Sequence, residues 1–265
     1  MTSKRVALAC STALLIAHAA GAGAQQEPAA PRAGSARATA PVDLTGYWVS
    51  LVTEDWRWRM VAPEKGDYQG VPINAAGRKV AEAWEPSMDG ACQAYGAAGI
   101  MRMPTRLHIT WEDDDTLKVE TDAGQQTRLL RFRGPEPPAG ERSLQGHSVA
   151  QWVRGGRGGG FFGGFGALGG GGGGSRWASV KVVTTHLSGG WLRRNGAPYS
   201  ERATLTESFL LLSEDPDNLS NAPYLALVTT VEDPMYLLGS FITSTNFKRE
   251  PDGSKWDPTP CRVLD

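Results

Sequence analysis

The chain has 265 residues, 40% of them hydrophobic and 21% charged, and its 27 basic and 28 acidic side chains give a formal net charge of −1. So balanced a composition argues against a nucleic-acid partner, which calls for a basic domain or stripe. Beyond the first two dozen residues no run is long and apolar enough for a spanning helix, so the mature chain is read as not membrane-spanning.

Lys4 and Arg5 precede an apolar run over 6–16 and small residues ending Ala22-Gly23-Ala24. A positive start, a short apolar middle and an A-x-A-like end predict a secretory signal peptide over 1–24, cleaved near Ala24. Cys10 precedes most of the apolar run and lacks an apolar residue three positions ahead, so cleavage is preferred to lipidation. The expected compartment is the periplasm or the outside of the cell, and no cofactor is expected. Losing Lys4 and Arg5 leaves 25 basic against 28 acidic residues, a mature charge of −3. Residues 25–42, rich in Ala, Pro, Gly and Arg, read as a disordered tether. The stretch 43–265, about 220 residues, fits one domain.

Apolar residues then recur at period two between turn residues, the pattern of half-buried antiparallel strands. Strands are expected at 44–52, 56–60, 147–153, 177–186, 203–212, 224–231 and 241–248. The clearest hairpin is 106–122, with Leu107, Ile109 and Trp111 on one face, a turn at Glu112-Asp113-Asp114-Asp115, and Leu117, Val119 and Thr121 returning. A third strand follows at 126–133. One helix interrupts them at about 74–85, capped by Asn74, stopped by Pro86, with Val80, Ala83 and Trp84 on one face. The glycine-rich tract 155–174 reads as a flexible loop between two strands. Short turns and many strands predict an all-β antiparallel meander that closes into a barrel, because closure removes exposed edges.

D-L-T-G-Y-W from Asp43 resembles the G-x-W opening of the lipocalin and calycin barrels, where the Trp plugs the closed end. The remainder resembles a group of uncharacterised exported bacterial β proteins, through G-A-P-Y-S-E at Gly196, L-T-E-S-F at Leu205, T-T-V-E-D-P-M-Y at Thr229 and N-F-K at Asn246. P-T-R-L-H-I-T-W at Pro104 fits a closer subset. The resemblance implies a lipocalin-like barrel and an exported protein, and it implies no activity.

Cys92 and Cys261 survive processing, and an even count in an oxidising compartment predicts a disulfide. His108, His147 and His186 fall on or beside strands without a local ligand motif, so they are read as ordinary strand histidines, with a shared metal site as the weaker alternative. On the hairpin, Arg106, His108 and Thr110 alternate with the apolar set. If that polar face lines the lumen, His108 is a general base with Glu207 or Glu232 as partner, and Arg102 or Arg106 orients an anionic substrate. If it faces solvent, Leu107, Ile109 and Trp111 fill the lumen; alternation alone leaves both open. The nine tryptophans suggest stacking walls. The candidate ligand-binding set is Trp48, Trp56, Trp58 and Trp111, with Arg102, Arg106, Arg128 and Tyr199. The favoured function is binding of a small apolar or aromatic molecule in the lumen. The alternative is a cofactor-independent lyase, isomerase or hydrolase using a lumen His/carboxylate pair.

Overall fold

The computed structural model describes residues 30–53, 55–88, 92–138, 140–154, 178–212 and 223–262. The expected signal peptide, the start of the tether and the glycine-rich tract lie outside the described residues. From Pro31 onward the described residues belong to one compact unit.

The chain enters the barrel wall with β1 (Gly46–Leu51), passes through the helices α1 (Trp56–Arg59), α2 (Ala75–Ala83) and α3 (Ala97–Ile100), and returns as β2 (Arg106–Trp111) and β3 (Thr116–Thr121). A two-residue strand β4 (Ala123–Gly124) leads into β5 (Thr127–Arg131), and β6 (His147–Arg154) and β7 (Ala178–Thr185) follow. A hairpin of β8 (Gly190–Arg193) and β9 (Ala197–Tyr199) forms a separate two-stranded sheet. The wall resumes with β10 (Thr204–Leu212), β11 (Tyr224–Glu232) and β12 (Phe241–Glu250), and β13 (Thr259–Pro260) pairs with β4.

The wall is closed, in the order β1-β12-β11-β10-β7-β6-β5-β3-β2, with β1 pairing both β12 and β2. Nine strands cannot alternate in direction all the way round a closed wall, so one neighbouring pair must run parallel. That pair is β5 and β6, in register Leu130↔Ser148 and Arg131↔Val149. The other wall pairs are antiparallel. The expected meander is therefore correct except at this junction, where residues 132–146 carry the chain back along the wall before β6 begins.

The register decides which face is inside. Leu107 stands opposite Thr121 and Ile109 opposite Val119, and all four are buried. Arg106, His108 and Thr110 point the other way, out of the barrel. Side chains of the wall fill the lumen: Trp48, Phe209 and Phe247 are among the largest fully buried groups, with Leu117, Leu130, Val180, Val182 and Leu227 between them. At about 25 cal/mol per Å² of apolar surface removed from water, this filling is the main favourable term for the fold. Trp48 donates from Nε1 to the Leu44 carbonyl at 3.0 Å, and the Arg249 guanidinium lies 5.4 Å from its ring centroid.

Three local outcomes differ from the sequence reading. Residues 56–60, expected as a strand because W-R-W-R alternates, form the single turn α1 after Asp55 at φ 52. The α2 helix does form with Asn74 as its cap, Oδ1 accepting from the Gly77 N–H at 2.9 Å, but its buried stripe is Gly77, Ala81 and Trp84, while Ala83 is exposed. The later part of the expected tether is folded. Asp114 and Asp115 of the β2–β3 turn accept from the backbone N–H groups of Arg32 and Ala36 at 2.7 and 2.8 Å, and Ser35 and Ala36 are buried. Trp152 Nε1 holds the Ala36 carbonyl at 3.0 Å.

Cys92 and Cys261 are bonded, with Cα atoms 5.0 Å apart. The bond ties the β13 segment to the loop before α3. It closes a span of 169 residues, for which chain-entropy reasoning gives about 5 kcal/mol of stabilisation.

Candidate functional site

The structure separates the residues that the sequence groups together. On the outer face of the wall His108 stacks on Tyr47, with ring centroids 4.2 Å apart, and Trp256 meets both rings edge-on. Its Nδ1 lies 3.3 Å from Glu120 Oε2. Glu207 points the other way, into the lumen, and Glu232 is exposed at the end of β11. The wall thus stands between His108 and Glu207, so they do not form an acid/base pair. Arg106 is engaged outside the lumen, its Nε donating to Glu250 Oε2 at 3.0 Å, with Nη1 3.7 Å from Asp122 Oδ2. Of the three strand histidines, His147 and His186 are neighbours at 6.3 Å between centroids, and His108 is not with them. Among the described residues no three His, Cys, Asp or Glu side chains converge as metal ligands.

Two constellations do form. The first is inside the lumen, where Arg128 and Glu207 are both fully buried and meet in a forked pair, Nη1 to Oε1 at 2.9 Å and Nη2 to Oε2 at 2.5 Å. Arg128 Nη2 also reaches Thr184 Oγ1 at 3.3 Å, which shares a hydrogen bond with Ser148 Oγ at 2.8 Å. The register explains the meeting: Arg128 lies opposite Val119 on the inward face of β5, and Glu207 opposite Val182 on the inward face of β10. Tyr199 is buried near Arg128, and desolvation pushes its phenol up, so it stays protonated. The fork is satisfied at both Nη atoms, while among the described residues Arg128 Nε and the Tyr199 hydroxyl are buried without a hydrogen-bond partner.

The second constellation lies at the barrel end that carries α1, α3 and the β8–β9 hairpin. Trp58, Trp191 and Phe241 form the aromatic part of a recess there, and Arg59, Arg102, Arg193 and Arg194 form its polar part. The recess has room for about one water-sized group. The Arg57 guanidinium lies 4.5 Å and the Arg193 guanidinium 4.3 Å from the Trp58 ring centroid, two cation–π contacts on one ring.

The arginines are positioned chiefly by backbone carbonyls. Arg193 Nη1 donates to Gln69 O at 2.6 Å, and Arg194 Nη2 donates to Arg59 O at 3.1 Å and Met60 O at 3.4 Å. Arg102 Nη1 donates to Ser244 O at 2.6 Å, while its Nη2 pairs with Asp55 at 2.7 Å. Arg59, fully buried, donates from Nε to Arg102 O at 3.0 Å and from Nη1 to Leu51 O. Neutral carbonyls fix a guanidinium without cancelling its charge. Burial, then repulsion from Arg102, pulls the Arg193 pKa down to about 10, and burial lowers that of Arg194. Both stay charged at neutral pH. Comparison with protein-family models, with curated proteins and with solved structures gives no match.

Of the expected ligand-binding set, the recess gathers Trp58 and Arg102. Arg128 and Tyr199 lie in the core, and Trp48 is fully buried. Trp111 joins Phe132 and Trp152 in an aromatic cluster, at 5.9 and 6.4 Å between centroids. Trp56 is 61% exposed on α1. The residues missed are Arg59, Phe241, Trp191, Arg193 and Arg194. The last three had a signal in W-L-R-R-N-G at 191–196, two adjacent arginines beside a Trp before a turn glycine, in a segment read as a connection and not as a hairpin.

Proposed function

We propose that this protein is an extracytoplasmic small-molecule-binding β-barrel that seats its ligand at the mouth of the barrel, against Trp58, and not in the lumen. The observation that carries the reading is the contrast between a lumen filled by Trp48, Phe209 and Phe247 and a recess where a half-buried Trp58 stands beside arginines. An aromatic or apolar body packing against the exposed part of Trp58 displaces water from that ring, which is only half-buried. The compartment is supported by the signal-like N-terminus and by the Cys92–Cys261 bond, which an oxidising environment sustains.

Native mass spectrometry of protein purified from the organism that makes it tests the proposal. The expected result is a retained small-molecule adduct that is lost in Trp58→Ala at unchanged melting temperature. An adduct that survives Trp58→Ala and disappears in a lumen variant such as Phe209→Ala overturns it.

A further inference from the structure

We propose that the mouth recess is a head-group site for amphipathic anions: Arg193 and Arg194 hold a carboxylate, phosphate or sulfonate, and the ligand's aromatic or aliphatic body lies against the exposed part of Trp58 and the apolar side chains around it. The inference rests on the mouth-binding reading above and adds the chemistry of the ligand to it.

Charge is the first argument. Arg193 and Arg194 are held by neutral carbonyls and, among the described residues, neither has a carboxylate within salt-bridge reach. The two nearby acids are committed elsewhere, Asp55 to Arg102 at 2.7 Å and Asp67 to Arg57 at 2.9 Å. A guanidinium has five N–H donors in a planar fork, and Arg193 uses one, to Gln69 O. The unused donors, and a charge that Asp67 and Asp55 offset only from a distance, match an anion that accepts several charge-assisted hydrogen bonds.

Size is the second argument. A recess with room for about one water-sized group admits one oxygen of a head group and excludes the rest of the ligand. The body must then lie outside, where large apolar side chains close in sequence to the recess residues are exposed. Trp56, Met60 and Val61, within three residues of Trp58, are 61%, 50% and 59% exposed. Leu238, three residues before the recess-lining Phe241, is 80% exposed. Large side chains left this exposed beside a basic recess match an apolar body with an anionic end.

The test uses two fluorescent probes sharing one aromatic body, 8-anilinonaphthalene-1-sulfonate and the uncharged N-phenyl-1-naphthylamine, titrated into the full chain. The sulfonate is expected to bind once per chain, about tenfold or more tighter than the neutral probe, and its advantage is expected to shrink as salt rises from about 0.05 to about 0.5 M. The double variant Arg193→Gln/Arg194→Gln should weaken the sulfonate about tenfold more than the neutral probe. Dodecanoate should displace the sulfonate, and inorganic phosphate at the same concentration should not.

Equal, salt-independent affinity for the two probes overturns the anion inference; if Trp58→Ala then weakens both, the mouth reading stands without it. Two affinities unchanged by Trp58→Ala overturn the mouth reading as well. Displacement by phosphate as strong as by dodecanoate reduces the site to a plain anion site and overturns the amphipathic part. Preference for phosphatidylglycerol vesicles over free dodecanoate assigns the surface to a lipid bilayer and overturns the free ligand. If the arginine variants fail to fold by near-ultraviolet circular dichroism, the probe pair and its salt dependence in the wild type decide alone.

Discussion

At the scale of single residues, the buried Arg128–Glu207 pair is the place where one atom's change matters most. Removing one partner leaves a charge without compensation in a medium that solvates it poorly, so Glu207→Gln or Arg128→Met is expected to cost about 3–5 kcal/mol in urea unfolding. Replacing both, as Arg128→Met/Glu207→Leu, keeps the volume apolar and is expected to recover most of that loss. A second residue-scale prediction concerns His147, whose pKa is lowered by burial and then by Arg131. The folded state favours the neutral ring, so the associated stability is complete above the ordinary histidine value of 6.5 and is lost as pH falls from there through the lowered folded value. Urea midpoints across that window should drop less in His147→Gln than in the wild type. Sequence reasoning identified Trp58, Arg102 and the buried Arg128 and Glu207 as notable residues. It placed His108 with Glu207 because period two assigns residues to faces without saying which face is inside. The inward Arg128 and Glu207 sit among Leu, Val and Phe neighbours that mark their face as the core, while the recess arginines come from a helix and a hairpin whose meeting no local pattern reveals.

At the scale of elements, helices and connections show where local pattern and tertiary contact disagree. Alanine at position 77 of α2 should gain about 1 kcal/mol in helix propensity over glycine. Its Cβ, however, would stand 2.7 Å from the Tyr236 carbonyl and 2.8 Å from Ile73 Cγ1. Gly77→Ala is therefore expected to lower stability by about 1–3 kcal/mol in chemical denaturation, against its propensity. The same logic moved the buried stripe from Val80 and Ala83 to Gly77 and Ala81: the helix packs closely on the 233–237 turn, and a small residue has to face it. Reduction of the Cys92–Cys261 bond should lower the melting temperature, and Cys92→Ser/Cys261→Ser should do so without reductant. Sequence arithmetic found this bond because only two cysteines lie outside the expected leader, whereas it missed the β8–β9 hairpin, which is too short to show a period.

The whole molecule was legible as a barrel because nearly every wall strand carries its own alternation. Its ninth-strand consequence, the parallel step between β5 and β6, was not, since parity is a property of the closed ring and no single strand encodes it. At this scale the β6–β7 register predicts that the wall forms without residues 155–177. Arg154 and Ala178 stand directly opposite each other in the β6–β7 register, so a two-residue Asn-Gly turn can join them. Replacing residues 155–177 by such a turn is expected to preserve the near-ultraviolet circular dichroism spectrum and the melting temperature.

Closure through β1 also sets a schedule. The first strand made pairs with β2, but its other neighbour is the last wall strand, with Tyr47 opposite Glu250. About 200 residues separate them, which at about 5–20 residues per second is roughly 10–40 s of synthesis. Throughout that interval the growing chain carries a half-built, curved sheet with two open edges and its future core uncovered. A chain ending before Phe241 never leaves this condition. Such truncated products should be cleared by proteases or aggregate, and any chaperone that meets this protein has the longest opportunity before its final twenty-five residues emerge.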